Sequence, residues 1–74
     1  MAYFINWDQL PEGYDWVAID KSGKIFAHSE KPRPWVGMGI WVGGFSYISL
    51  GVTGNEMNNW QQLIFHRHES QAGY

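Results

Sequence analysis

Apolar and polar residues alternate in two β-rich runs, 14–20 and 24–29, separated by Lys21-Ser22-Gly23. Gly23 stands where a three-residue hairpin loop needs a left-handed residue, so the pattern predicts a hairpin over 14–29. With Asp20 facing Lys24, Ile19 meets Ile25 and Val17 meets Ala27 on one face. Ala18 then meets Phe26, and Trp16 meets His28, on the other.

Residues 30–34 hold Pro32 and Pro34, which remove ladder donors and restrict the residues before them, and so predict a connector. From 35 to 42 the alternation is strict. Val36, Met38, Ile40 and Val42 fall on one face as predicted core, and Trp35, Gly37, Gly39 and Trp41 on the other. Gly43-Gly44 supplies a reversal into 45–52, where Ile48, Leu50 and Val52 alternate with Ser49 and Gly51, so a second, Gly-rich hairpin is predicted over 35–52. Beyond Gly54, Asn55 can cap a helix over 55–67. Met57, Trp60, Leu63 and Ile64 recur at helical intervals, and His66, Arg67 and His68 lie where a helix dipole favours cations.

The opening 1–13 reads as an ordered lead-in, and 69–74 as a frayed tail. Trp7 and Leu10 are its predicted apolar anchors, while Pro11 and Gly13 exclude regular helix. With Gly23, Trp60 and Leu63 these residues form the predicted structural frame. The expected fold is α+β in a single domain: a small antiparallel sheet of three to four strands, two hairpins in a meander, backed by one C-terminal helix.

Composition sharpens this picture. The chain has 74 residues and no Cys, so neither disulfides nor a thiolate zinc site can reinforce a domain that buries only about 60% of its unfolded surface. It is 45% hydrophobic, with five Trp, four Tyr and four Phe and only 16% charged residues, which predicts a packed chain rather than a disordered one. A net charge of -2 provides no footprint for a nucleic-acid backbone. Met1 to Asp8 carries no Lys or Arg, unlike a secretory signal, so a cytoplasmic location is expected. The uncharged run 34–55 has the length of a membrane span, but its six glycines and its alternation favour strands, and no membrane association is expected.

No pair of carboxylates, nucleophile motif or phosphate-cradling loop stands out, and neither catalytic residues nor a cofactor are expected. Gly37-Met38-Gly39 is too short for a dinucleotide fingerprint. His28, His66 and His68 suggest a metal site only weakly, because His66 and His68 diverge in a strand or a helix and Arg67 repels a cation between them. The outer face of 35–41 is more informative. Trp35 and Trp41 bracket Gly37 and Gly39 over about 20 Å, forming a slot for a sugar, a base or a partner side chain. Otherwise Trp16 or Phe26 lies over those glycines as packing, or the exposed aromatics mark a protein interface or a homodimer.

The opening Trp7-x-x-Leu10-Pro11-Glu12-Gly13, the aromatic Ala-x-Asp hairpin and the closing Trp60-x-x-Leu63-x-x-x-Arg67 resemble short, uncharacterised bacteriophage and prophage proteins. The resemblance implies a phage or prophage origin and a small β-rich fold, and no activity. The expectation is a non-enzymatic accessory protein that binds a host or phage protein through Trp35, Trp41 and Phe45. The alternatives are small-ligand, carbohydrate or single-stranded nucleic-acid binding in the Trp-Gly-Gly-Trp slot, and a self-associating structural subunit.

Overall fold

The computed structural model describes residues 5–67. Strands β1 (Trp16–Ile19) and β2 (Lys24–His28) pair antiparallel in the register read from the sequence, Trp16 with His28, Val17 with Ala27, Ala18 with Phe26 and Ile19 with Ile25. The turn closes as a tight loop. The Gly23 amide donates to the Asp20 carbonyl at 2.9 Å, and the Asp20 amide to the Lys24 carbonyl at 2.9 Å. Two further strands complete the sheet. β5 (Tyr47–Val52) pairs with the free edge of β2, with an irregularity at Ile25/Phe26, and β6 (Ile64–His66) pairs with the free edge of β1. The order is β5-β2-β1-β6, with every neighbour antiparallel. A separate two-stranded sheet joins β3 (Arg33–Trp35) to β4 (Ile40–Val42).

Val17, Ala18 and Ile19 of β1 are fully buried although they point alternately to both sides of the sheet, which requires cover on each face. On one side the lead-in folds over, placing Trp7, with Ile5, Leu10 and Tyr14 around it, against Val17 and Ala27. On the other, Trp41 of β4 joins Met57, Trp60 and Leu63 against Ala18, in a cluster that reaches Ile19 at the end of the strand. The small Ala18 side chain leaves room there for two indoles, Trp41 and Trp60, which meet edge to face at 5.8 Å. Arg67 holds the lead-in down. Its guanidinium donates to Asp15 Oδ1 at 2.9 Å and to the Trp7 and Tyr14 carbonyls at 3.0 Å each, and lies over the Trp7 ring.

The α+β reading is overturned: among the described residues there is no helix of seven residues or more, and the helical elements are the 3₁₀ turns Trp7–Gln9 and Trp60–Gln62. The expected helix over 55–67 is instead a loop, the second 3₁₀ turn and β6. Its apolar stripe is nevertheless buried as a stripe should be. Three- and four-residue spacing also suits an irregular segment that drops Met57, Trp60 and Leu63 in turn onto the sheet. Asn58, Asn59 and the β-branched Ile64 are weak helix formers, and a single isolated helix of this length is marginal in any case. The free edge of β1 offers Ile64–His66 a full ladder instead.

The second hairpin, 35–52, does not form either, and neither does the meander. Residues 36–39 are a turn, so the strict alternation of 35–42 spans the two arms and the tip of a shorter hairpin, β3–β4. β5 returns to β2 rather than pairing with β4. The Pro-containing connector itself supplies β3, where Pro34 is accommodated on a strand with one free edge. Within the expected frame, Trp7, Gly23, Trp60 and Leu63 are buried and Leu10 is half-buried. Pro11 and Gly13 are exposed, their part being the turn in which the Tyr14 amide donates to the Pro11 carbonyl. The tail 69–74 lies outside the described residues. No helix among the described residues is long and apolar enough to cross a membrane.

Candidate functional site

The β1–β2 turn organises the region where recognition chemistry collects. Asp20 is buried, and its Oδ1 accepts the Trp41 backbone amide at 3.0 Å, while Trp41 Nε1 donates to the Ile19 carbonyl at 2.9 Å. The Lys21 amide donates to the Gly39 carbonyl at 2.9 Å. The β3–β4 hairpin is therefore bolted to the end of β1 through one indole and two backbone bonds. Trp41, one of the three residues expected to bind a partner, is this bolt: it is 7% exposed, buried in the core rather than displayed for docking.

The bolt fixes a hairpin tip in space. At the tip the Met38 amide donates to the Trp35 carbonyl at 3.0 Å, and the Gly39 amide to the Trp35 and Val36 carbonyls at 2.9 and 3.3 Å. Trp35, Val36 and Met38 are 52%, 63% and 61% exposed on this tight turn. Val36 and Met38 were expected in the core and stand outside it, because they occupy the reversal rather than a strand face. Phe45, on the turn into β5, is 94% exposed. The Trp-Gly-Gly-Trp slot is absent: Gly37 and Gly39 lie in the tip turn, and the two indoles point into different surroundings. Trp16 and Phe26 do not cover those glycines. Trp16 stacks on His66 at 4.2 Å and takes Lys31 over its ring, and Phe26 meets Tyr47 edge to face at 5.6 Å.

Beneath the hairpin, β2 and β5 form one wall of a cleft of about 350 Å³, and β4 with Gly43 and Gly44 forms the other. Tyr47, His28, Trp16 and His66 are successive cross-strand partners, so an aromatic row crosses the whole sheet at this level. His28 is the buried member. Among the described residues neither of its ring nitrogens makes a well-formed hydrogen bond, although the Gly43 backbone lies close enough to act on the ring. Burial pushes its pKa below the ordinary imidazole value, and the Gly43 backbone opposes this more weakly. Because His28 and His66 flank Trp16 on either side, they are two strand spacings apart and cannot share a cation. His68 lies outside the described residues. No cluster of three or more metal-ligating side chains occurs among those that are described.

Sequence reasoning placed Asp20 in a turn and His28 on an aromatic face but gave neither a site. The available signal was a lone imidazole inside a short β-rich run, on the same face as Phe26, where an apolar residue would ordinarily sit.

The Asp20 carboxyl is pushed above its ordinary value by burial, against the opposing Trp41 amide and the Lys24 charge. A raised folded-state pKa means that the contribution to stability is fully present below 3.8 and is lost as pH rises through the folded value. At neutral pH Asp20→Asn, which keeps an acceptor for the Trp41 amide, is therefore expected to melt at or above wild type. Asp20→Ala orphans that amide and is expected to cost about 1–3 kcal/mol. Thermal melts of both variants at pH 7 check the pair. For His28 the sign is reversed: its lowered pKa gives stability that is present above 6.5 and lost as pH falls through the folded value. No protein-family model, curated protein or solved structure matches this chain.

Proposed function

We propose that this protein is a non-enzymatic binding module, an accessory protein of phage or prophage origin, that engages a protein partner through the tip of the β3–β4 hairpin. Trp35 and Met38 are the principal anchors, with Phe45 as a second point of contact. The observation that carries the reading is the coincidence of exposure and rigidity at the tip. A Trp, a Val and a Met stand more than half exposed on a turn closed by three backbone hydrogen bonds and bolted to the core by Trp41. Trp is the residue type most enriched among those that dominate binding energy, and a preorganised tip loses little conformational freedom when it docks. Residues 34–55 carry no charge, and the nearest ion at the tip is the exposed Lys21, whose stem lies along Gly39.

The test is the double substitution Trp35→Ser with Met38→Ser. Both side chains leave the core untouched, so the melting temperature is expected to stay within ~2 °C of wild type, surface substitutions typically changing stability by no more than ~0.5 kcal/mol. Quantitative capture of partners from infected-cell lysate is expected to fall at least tenfold. Equal capture by the variant overturns the reading. A capture assay accompanied by light scattering separates a foreign partner from a second copy of the chain, since self-association raises the mass of the purified protein with concentration.

A further inference from the structure

The cleft under the hairpin is separate from the tip, and its chemistry points to a different kind of ligand. Its sheet wall is aromatic, formed by Phe26 and Tyr47 with the His28 ring stacked against Tyr47 at 5.9 Å, and its opposite wall is the apolar strand β4. Two such walls make a slot suited to a flat ring. A volume of about 350 Å³ lies at the small end of ligand pockets and admits one or two fused rings with a short substituent. His28 sits 2% exposed in this slot, and neither Nδ1 nor Nε2 makes a well-formed hydrogen bond among the described residues, the Gly43 backbone acting on the ring only weakly. A neutral imidazole presents one donor and one acceptor, and a structure that buries both without partners is destabilised unless something supplies the missing bonds.

We propose that the cleft binds a flat heteroaromatic molecule of nucleobase size. Its face lies between Phe26–Tyr47 and β4, and its edge, carrying a hydrogen-bond donor beside an acceptor, completes the bonding of His28. Such an edge complements either imidazole tautomer, which a plain hydrocarbon ring does not. Water does not reach the two nitrogens in this structure, so the ligand edge must displace the Gly43–Gly44 turn above them. That turn carries no side chains, but it packs against residues 30–33, since a Cβ at Gly43 would already touch Lys31 and Pro32 and one at Gly44 would press on Glu30, so admitting the ligand edge means that residues 30–33 and the turn move together. Lys24 and Ser22 also line the cleft and are exposed, so a polar substituent on the ring would find partners toward solvent.

The experiment titrates isotopically labelled, full-length protein with adenine and with uracil, following the imidazole nitrogens of His28 and the rings of Phe26 and Tyr47 by NMR. At least one base is expected to shift all three residues with a Kd below ~1 mM, the range open to a ligand with this few atoms. His28→Leu is expected to weaken that binding about tenfold or more while melting ~5 °C above wild type, because it removes a buried polar group that lacks partners. No shift at these residues with either base up to ~10 mM overturns the proposal, as this lies well beyond any useful affinity. So does unchanged binding by His28→Leu. A variant that melts well below wild type also ends it, since His28 would then be a satisfied structural group, hydrogen-bonded to an enclosed water.

Discussion

Trp41→Ala is expected to leave most of the protein unfolded at 25 °C. Truncating a buried Trp costs about 3–5 kcal/mol, and a core of this size supplies about 3–5 kcal/mol in total. The indole lost is shared between two structures. It packs on Ala18, Ile19 and Trp60, and its Nε1 reaches the Ile19 carbonyl, so its removal opens the second core and releases the β3–β4 hairpin together. Trp41→Phe separates these contributions. It keeps most of the apolar contact and loses only the bond to Ile19, which predicts a loss of about 1–3 kcal/mol with cooperative unfolding retained. Urea denaturation followed by far-ultraviolet circular dichroism distinguishes the outcomes. A Trp41→Ala protein with a wild-type midpoint would mean that this indole stands in solvent like Trp35, and that the hairpin is held by other means.

The contrast between Trp35 and Trp41 shows where sequence patterning stops being informative. Both lie in one uninterrupted alternation with Gly37 and Gly39, and period two assigns them to one face. The assignment fails because alternation identifies extended chain without locating a reversal inside it. Residues 36–39 turn back through hydrogen bonds that no side chain announces. The β1–β2 hairpin was legible to the level of register because its determinants are local: a turn glycine, an opposite-charge pair and two short runs on either side. What joins β5 to β2 and β6 to β1 is the pairing of strand edges 19 or more residues apart in the chain, and no short-range pattern encodes it.

Core membership was more legible than element type. Trp7, Trp60 and Leu63 are buried as their spacing and apolar character imply, although the segment containing the last two is extended and 3₁₀ rather than α-helical. The site was less legible still. Asp20 looks like an ordinary turn residue until Trp41 arrives from a separate sheet to occupy its carboxylate, and the burial of His28 depends on Gly43 and Gly44 closing over it. Phe45 is the one expected binding residue whose exposure needed no tertiary information, since it follows two turn glycines.

Gly23→Ala is expected to be nearly as damaging as the loss of Trp41, and a second glycine shows why. Gly23 and Gly13 both adopt left-handed backbone, with φ of +92° and +96°. A side chain is disfavoured at each by about 1–2 kcal/mol on conformational grounds alone. Around Gly13 a Cβ would meet nothing within 4 Å, so Gly13→Ala should cost that amount and no more. At Gly23 the new methyl would fall inside contact distance of the Asn55 carbonyl oxygen and 2.5 Å from Thr53 Oγ1. The Gly23 carbonyl, meanwhile, accepts the Thr53 amide at 2.8 Å. The chain after β5 thus packs directly on bare backbone, and the neighbouring Lys21 carbonyl accepts the Met57 amide at 2.7 Å to carry the same segment onward into the core. Relieving the clash means withdrawing 53–57 from the turn, which breaks these bonds as well and brings the expected total to about 3–4 kcal/mol. Denaturant midpoints for the two variants, measured side by side, test the argument. Equal losses at positions 13 and 23 would show that backbone conformation is the whole effect, and that the close approach of Thr53 and Asn55 contributes nothing.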